Sequence, residues 1–333
     1  MGPVNRVVVV TGASGGVGRA TARHFARSGD RVALLARGGA GLEGARQDVE
    51  ALGVRGLAIP VDVSDAEAVD AAAWLVEEEL GPIDVWINNA MATVFSPSWD
   101  MEPDEFRRAT EVTYLGGVWG TLAALRRMRP RDRGSIVNVG SALAYRSIPL
   151  QSAYCGAKFA LRGFTDSVRC ELIHEESGVR LTMVHLPGLN TPQFDWCRAK
   201  VTKKPQPVPP IYQPEVAARA IEWASRNDRR EVWVGWPTYK TILGNKIAPR
   251  LLDRYLAHEA WEGQLTDEPL EGEREGNLFE PLDDTRDRGA RGSFDRRSRS
   301  RSPVLQASLH PGWLAAGAAA LGAASLWLLR RHD

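Results

Sequence analysis

Short apolar runs recur along the chain at intervals long enough for a helix between each pair. They fall at residues 7–10, 32–35, 57–61, 83–87, 135–139, 181–185 and 232–234. Continuous runs of this kind suit strands covered on both faces, and helix-length spacers between them predict an α/β fold with a doubly wound parallel sheet of about seven strands. Helix signals fill the gaps. A helix over 17–28 stops at Gly29, one over 65–80 starts from a Ser64 cap and stops at Gly81, Pro103 opens one running to about 128, and 150–177 stops before Gly178.

Beyond the sixth strand the pattern changes. Residues 203–210, Lys-Lys-Pro-Gln-Pro-Val-Pro-Pro, read as neither helix nor sheet and predict a lid or rim. Phe194, Trp196 and Tyr212 flank it, which suggests an apolar, lipophilic substrate or simple rim packing. Residues 261–311 are sparse in apolar positions, acidic first and then rich in arginine and serine, and predict a charged disordered tether. Residues 312–329 carry no charge; as a helix they reach roughly 27 Å, the short end of a membrane span. Trp313, Trp327 and Arg330-Arg331 resemble interfacial anchors, and the upstream arginines favour a cytoplasmic enzyme body. The expected organisation is therefore a folded α/β domain over 1–260, a linker over 261–311 and a C-terminal transmembrane anchor over 312–331. An alanine-rich helix docking on the body or a partner is the alternative for the last segment.

Composition adds limits. A net charge of +1, with no one-sided basic face, gives no reason to expect a nucleic-acid partner. Three cysteines without ligand spacing suggest a reducing compartment and no metal. The first strand begins so near the N-terminus that no signal peptide is expected.

The first strand runs directly into Thr11-Gly-Ala-Ser-Gly-Gly-Val-Gly18. Glycines at 12, 16 and 18, with a helix following, predict a dinucleotide cradle in which the helix N-terminus receives phosphate. An acidic residue at the end of the second strand would bind the adenosine ribose, but that place reads Ala36-Arg37. The missing carboxylate and the added guanidinium favour NADP over NAD, unless Arg37 is an ordinary loop arginine. Asp62-Val63 either contacts adenine or caps the turn toward Ser64, and Asn88-Asn89-Ala90 ends the fourth strand where open α/β sheets bind ligands.

Tyr154 and Lys158 share one helix face. A phenol needs a nearby cation to exchange its proton near neutral pH, and Ser141, at the end of the fifth strand, can polarise a carbonyl beside it. His24, His174 and His185 suit structural roles better than catalytic ones, and Cys155 is expected to pack facing away from Tyr154.

On these motifs, together with Pro187-Gly188, the chain resembles the short-chain dehydrogenase/reductase family over about residues 5–240, in its compact form with one Rossmann domain. The resemblance implies an oxidoreductase interconverting an alcohol and a ketone or aldehyde. Tyr154 would be the general acid/base, Ser141 would orient the substrate, and Lys158 would hold the nicotinamide ribose and lower the tyrosine pKa. The implied cofactor contacts are Thr11, Gly12, Ser14, Gly16, Val17, Gly18, Arg37, Asp62, Val63, Asn89, Ala90, Tyr154, Lys158, Pro187, Gly188 and Thr191. Thr191 would hold the carboxamide or pyrophosphate side.

Homo-oligomerisation through two long helices is also implied. Three departures stand out: Met91 replaces a glycine, the Pro-Gly loop is one residue shorter before its threonine, and Thr113 replaces an asparagine that supports a water link to the lysine. They keep a rival reading open, a dinucleotide-binding scaffold or sensor with impaired turnover. A nucleotide-sugar epimerase or dehydratase also uses a Tyr–Lys pair, but such enzymes resemble larger proteins with a substrate lobe.

Overall fold

The structure, a computed structural model, describes residues 5–310. Seven parallel strands form one sheet: β1 (Val7–Thr11), β2 (Arg31–Ala36), β3 (Gly56–Pro60), β4 (Ile83–Asn88), β5 (Gly134–Ser141), β6 (Val179–Leu186) and β7 (Glu231–Trp233). Their spatial order is β7-β6-β5-β4-β1-β2-β3, so the chain reverses direction between β1 and β4, and the carboxyl ends of those two strands open a crevice.

Both faces of the sheet are buried, as the apolar runs require. Along β1, Val8 and Val10 join one core with Phe25 of α1 (Gly16–Arg27) and Leu42 and Val49 of α2 (Gly39–Glu50). Val7 and Val9 point to the other core, with Val69 and Val76 of α3 (Ala66–Leu80). The cap of α3 is Asp65, not Ser64; its carboxylate accepts from the Glu67 and Ala68 amides at 2.9 and 3.0 Å. Ser64 is instead drawn to Asp62.

The helix predicted from Pro103 is continuous but not uniform. It comprises α4 (Pro103–Thr110), one wide π-type turn (Glu111–Leu115) and α5 (Gly116–Met128). The next helix, α6, covers Ser152–His174. After β6 come α7 (Pro214–Arg226), α8 (Gly235–Ile247) and α9 (Pro249–Gly263).

Two expectations for the chain beyond β6 change. Within the proline-rich rim, Lys203–Pro205 forms a short edge strand against Leu265–Pro269, a position where proline's missing N–H is tolerated. Residues 264–310, expected as a disordered tether, fold back on the body and end in α10 (Pro303–Leu309). Few apolar side chains are needed because the body already offers grooves: Leu278, Phe294 and Leu305 are buried there. Polar docking completes the attachment. Arg19 pairs with Asp287, and Asp295 accepts from Asn190 and Gln213 at 3.0 and 2.9 Å. The uncharged segment 312–329 lies outside the described residues. Among those described, no helix is long and apolar enough to cross a membrane.

Candidate active site

The crevice at the carboxyl ends of β1 and β4 is one end of a cavity of about 380 Å³ that continues past β5 and β6. Fifteen of the predicted cofactor and catalytic positions line it. They run from the glycine turn (Gly12, Ser14, Gly16, Val17) through Arg37, Asp62, Val63, Asn89 and Ala90 to Ser141, Tyr154 and Lys158, with Pro187, Gly188 and Thr191 above. Thr11, Gly18 and Thr113 stand behind the wall.

Those three shape the cavity from outside. The Thr11 hydroxyl accepts from the amides of Asn89 and Ala90 at 2.9 and 3.0 Å, tying the ends of β1 and β4 together. Asn89 answers by donating to the Thr11 carbonyl at 2.9 Å. At Gly18 an added Cβ would sit 2.1 Å from the Gly12 carbonyl oxygen, so only glycine lets α1 start this close to the turn. Gly12 has φ +64° and an added Cβ there would meet Ala90 at 2.9 Å. The cradle is thus built by close approach of backbone, the property a pyrophosphate site requires.

At the other end, Ser141 and Tyr154 meet. The Ser141 hydroxyl accepts from the Leu143 amide at 3.1 Å and hydrogen-bonds the Tyr154 phenol. Burial pushes the phenol well above its ordinary value, against the pull of Ser141. Lys158 is 2% exposed, and its Nζ donates to the Val139 carbonyl at 2.7 Å and stands 5.7 Å from the centre of the Tyr154 ring. Burial lowers its pKa to about 7. Behind Ser141, His185 Nδ1 lies 3.0 Å from that serine's carbonyl, a structural role as expected. Cys155 is buried and its thiol is pushed up to about 11 by that burial, which makes it a packing residue.

Thr113 is engaged with Ala92 rather than with Lys158. It sits on the π-type turn, where its hydroxyl donates to the Ala92 carbonyl and accepts from the Ala92 amide, both at 2.9 Å. A threonine's short reach commits it to this neighbour, and the hydroxyl fixes the segment that follows Ala90-Met91.

Asp62 does the capping half of what its position allows. It accepts from the Ser64 amide and hydroxyl at 3.0 and 2.8 Å and pairs with Arg108. Burial raises its carboxyl pKa, yet Arg108 and Ser64 outweigh that and hold it below the usual range. Arg37 is also committed: its guanidinium donates to the carbonyls of Asn277, Leu278 and Phe279 at 2.5, 3.4 and 2.6 Å.

Further wall residues include some that the sequence singled out and others, in α9 and the C-terminal segment, that it did not. Trp196 stands over the glycine turn, 3.1 Å from where a Gly15 Cβ would be. Gln206, Pro207, Val208 and Pro209 supply the rim foreseen for the proline-rich stretch. Leu256 and Ala260 of α9 and, from the C-terminal segment, Asn277, Pro281 and Asp283 complete the lining. No group of three or more His, Cys, Asp or Glu side chains among the described residues could hold a metal ion.

The residues present fit a dinucleotide. The glycine cradle is one sign, and a buried cation whose hydrogen-bonding is otherwise limited to the Val139 carbonyl is another.

Comparison with known proteins gives the same direction. The short chain dehydrogenase family matches residues 6–201. The uncharacterized oxidoreductase YxnA of Bacillus subtilis is 31% identical over 323 residues, covering 95% of this chain and 90% of that protein. The 3-dehydrosphinganine reductase of Danio rerio is 31% identical over 222 residues, 64% of this chain and 66% of the relative. Among solved structures, an alcohol dehydrogenase from the archaeon Thermococcus sibiricus, complexed with 5-hydroxy-NADP, aligns with TM-score 0.58 at 26% identity. It covers 69% of this chain and 95% of its own.

Proposed function

We propose, from the premise that this chain belongs to the short-chain dehydrogenase family of oxidoreductases acting on CH–OH groups, that it reduces a ketone or aldehyde to an alcohol with a nicotinamide dinucleotide. The observation that carries this reading is the gathering of Ser141, Tyr154 and Lys158 on one wall of a cavity whose far end is the glycine cradle. A bound nicotinamide supplies the hydride.

The chain's own groups handle orientation and the proton. Ser141 donates a hydrogen bond to the substrate carbonyl oxygen, polarising it. Tyr154, whose pKa is raised by burial, keeps its proton at neutral pH and is set to deliver it to that oxygen. Lys158, when protonated, stabilises the phenolate left behind and can hold the nicotinamide ribose. In the reverse direction the Tyr154 phenolate, present at higher pH, accepts the alcohol's proton.

The expected preference for NADP rested on the missing carboxylate at the end of β2 and on the Arg37 guanidinium. Since three backbone carbonyls take that guanidinium, the structure supports a dinucleotide and leaves the choice between the two to other groups. The apolar residues Leu143, Ile148, Phe194, Val208 and Leu256 line the cavity and favour a lipophilic substrate.

Purified full chain with NADH or NADPH and a panel of ketones, aldehydes and quinones tests the reading. Oxidation of the dinucleotide that disappears in Tyr154→Phe supports it. Tight dinucleotide binding with no turnover, unaffected by Tyr154→Phe, would favour a scaffold.

Membrane attachment through residues 312–331 is a separate proposal resting on their uncharged, tryptophan-flanked sequence. It fails if the full chain and a version ending at His310 both fractionate as soluble.

A further inference from the structure

The strand end that usually brings a carboxylate to the adenosine ribose carries none here, since β2 closes on Ala36-Arg37. A carboxylate reaches that place from the far end of the chain. Residues 277–289 cross the outside of the glycine turn and the start of α2. The Asp284 carboxylate accepts from the Gly39 amide at 2.9 Å, the Asp284 carbonyl from Ala40 at 3.0 Å and the Asp283 carbonyl from Gly41 at 2.8 Å. Gly289 adds its carbonyl to the Gly16 amide at 3.2 Å.

The Asp283 side chain is thereby lowered between Gly38 and Gly41. A Cβ added at Gly38 would stand 2.0 Å from its Oδ1, and one at Gly41 would stand 2.5 Å from Oδ2 and 2.9 Å from the Ser14 Cβ. The two glycines leave the room that the carboxylate fills. Asp283 is 6% exposed, lines the cavity beside Ser14 and Arg37, and its Oδ2 is buried without a hydrogen-bond partner among the described residues. A buried carboxylate oxygen with no donor is costly unless something that binds there supplies one.

We propose that Asp283 accepts hydrogen bonds from the adenosine ribose hydroxyls of the bound dinucleotide, and that it sets a preference for NAD(H) over NADP(H). The proposal rests on the dinucleotide reading above. A ribose hydroxyl is a neutral donor suited to an orphaned carboxylate. A 2′-phosphate brings negative charge against that carboxylate. It also finds its usual partners taken, because the Arg37 guanidinium serves carbonyls 277–279 and the first amides of α2 serve Asp283 and Asp284. Asp283 is therefore a specificity residue supplied by a segment remote in sequence from the strand end it serves, the same segment whose Leu278 carbonyl lies 241 positions from Arg37.

The test is equilibrium binding to the full chain in mild detergent, using NADH, NADPH, NAD and its 2′-deoxyadenosine analogue. Expected are NADH binding at least about tenfold tighter than NADPH, and a loss of about tenfold when the 2′-hydroxyl is removed from NAD, the size of one charge-assisted hydrogen bond. Asp283→Asn should weaken NADH, strengthen NADPH and no longer distinguish NAD from its deoxy analogue. Tighter NADPH binding by the unaltered chain, or an equal loss of both dinucleotides in Asp283→Asn, overturns the proposal and leaves Asp283 a docking residue only. The deoxy analogue needs no variant, so a folding defect in Asp283→Asn cannot hide the answer. Binding and turnover with the wrong ratio defeat this proposal alone, whereas binding of no dinucleotide defeats the functional reading as well.

Discussion

Lys158 Nζ donates to the Val139 carbonyl at 2.7 Å, which anchors the amine to β5 two residues before the strand ends on Ser141. One hydrogen bond thus sets the cation of α6 relative to the hydroxyl of β5. The cost is a lysine buried without a carboxylate partner, and its pKa falls from 10.5 to about 7.

That depressed value makes a stability prediction with a definite sign. Between about pH 7 and 10.5 the unfolded chain holds a proton on Lys158 that the folded chain has released, so this residue's contribution to unfolding free energy rises with pH across that window and is flat below it. Urea unfolding of the apoprotein at pH 7 and pH 9, compared with Lys158→Met, isolates the effect. The wild type should gain on the variant as the pH rises, and parallel behaviour of the two proteins would refute a buried, depressed lysine.

Tyr154→Phe removes the proton donor while keeping the ring against Ser141 and Lys158. Turnover should fall by about 10²–10⁴-fold, the usual worth of a positioned general acid, with a far smaller change in dinucleotide affinity. Steady-state rates and binding measured on the same preparation check this, and residual activity near wild type would move the proton to another group.

At Thr113 the expected effect is on stability first. Thr113→Val keeps the shape but leaves the buried Ala92 amide and carbonyl without the hydroxyl that serves both. Unfolding free energy should drop by about 1–3 kcal/mol. A direct role as proton relay would instead show as a changed kcat pH profile at unchanged stability.

Arg198 joins α4 to the C-terminal segment, donating to Glu105 at 2.6 Å and Glu273 at 2.8 Å. Glu105 is nearly fully buried. Burial acts to raise its carboxyl pKa, but Arg198, the Glu102 amide and Lys200 hold it below 4.5. Arg198→Met should cost about 3 kcal/mol, at the low end for a broken buried pair because Lys200 remains 3.1 Å from Glu105. The deficit is full above about pH 4.5 and shrinks as acid protonates Glu105. Hydrogen exchange over residues 264–300 should quicken in the variant, and unchanged exchange there would show that the segment is held by other contacts.

What the sequence made legible follows from how local each signal is. The valines of β1 lead straight into the glycine turn, and Tyr154 and Lys158 fall one helical turn apart, so neighbours in sequence are neighbours in space. Thr113 could be placed near the site but its partner could not, because Ala92 belongs to an irregular segment whose path depends on the π-type turn. Arg37 shows the stronger limit. Its position at the end of β2 was readable, while the three carbonyls that occupy it come from residues 277–279. The same low apolar content that suggested a tether conceals docking, since Leu278, Phe294 and Leu305 pack into grooves that exist only once the body has folded.

The strap across the glycine turn gives the two halves of the pocket different birthdays during synthesis. The phenol, ammonium and serine hydroxyl can take their places while the ribosome is still making α7, but the outer wall of the nucleotide end waits for residues 277–289 to emerge. In order of synthesis, the chain therefore has its reacting groups before it has the segment that walls the nucleotide end.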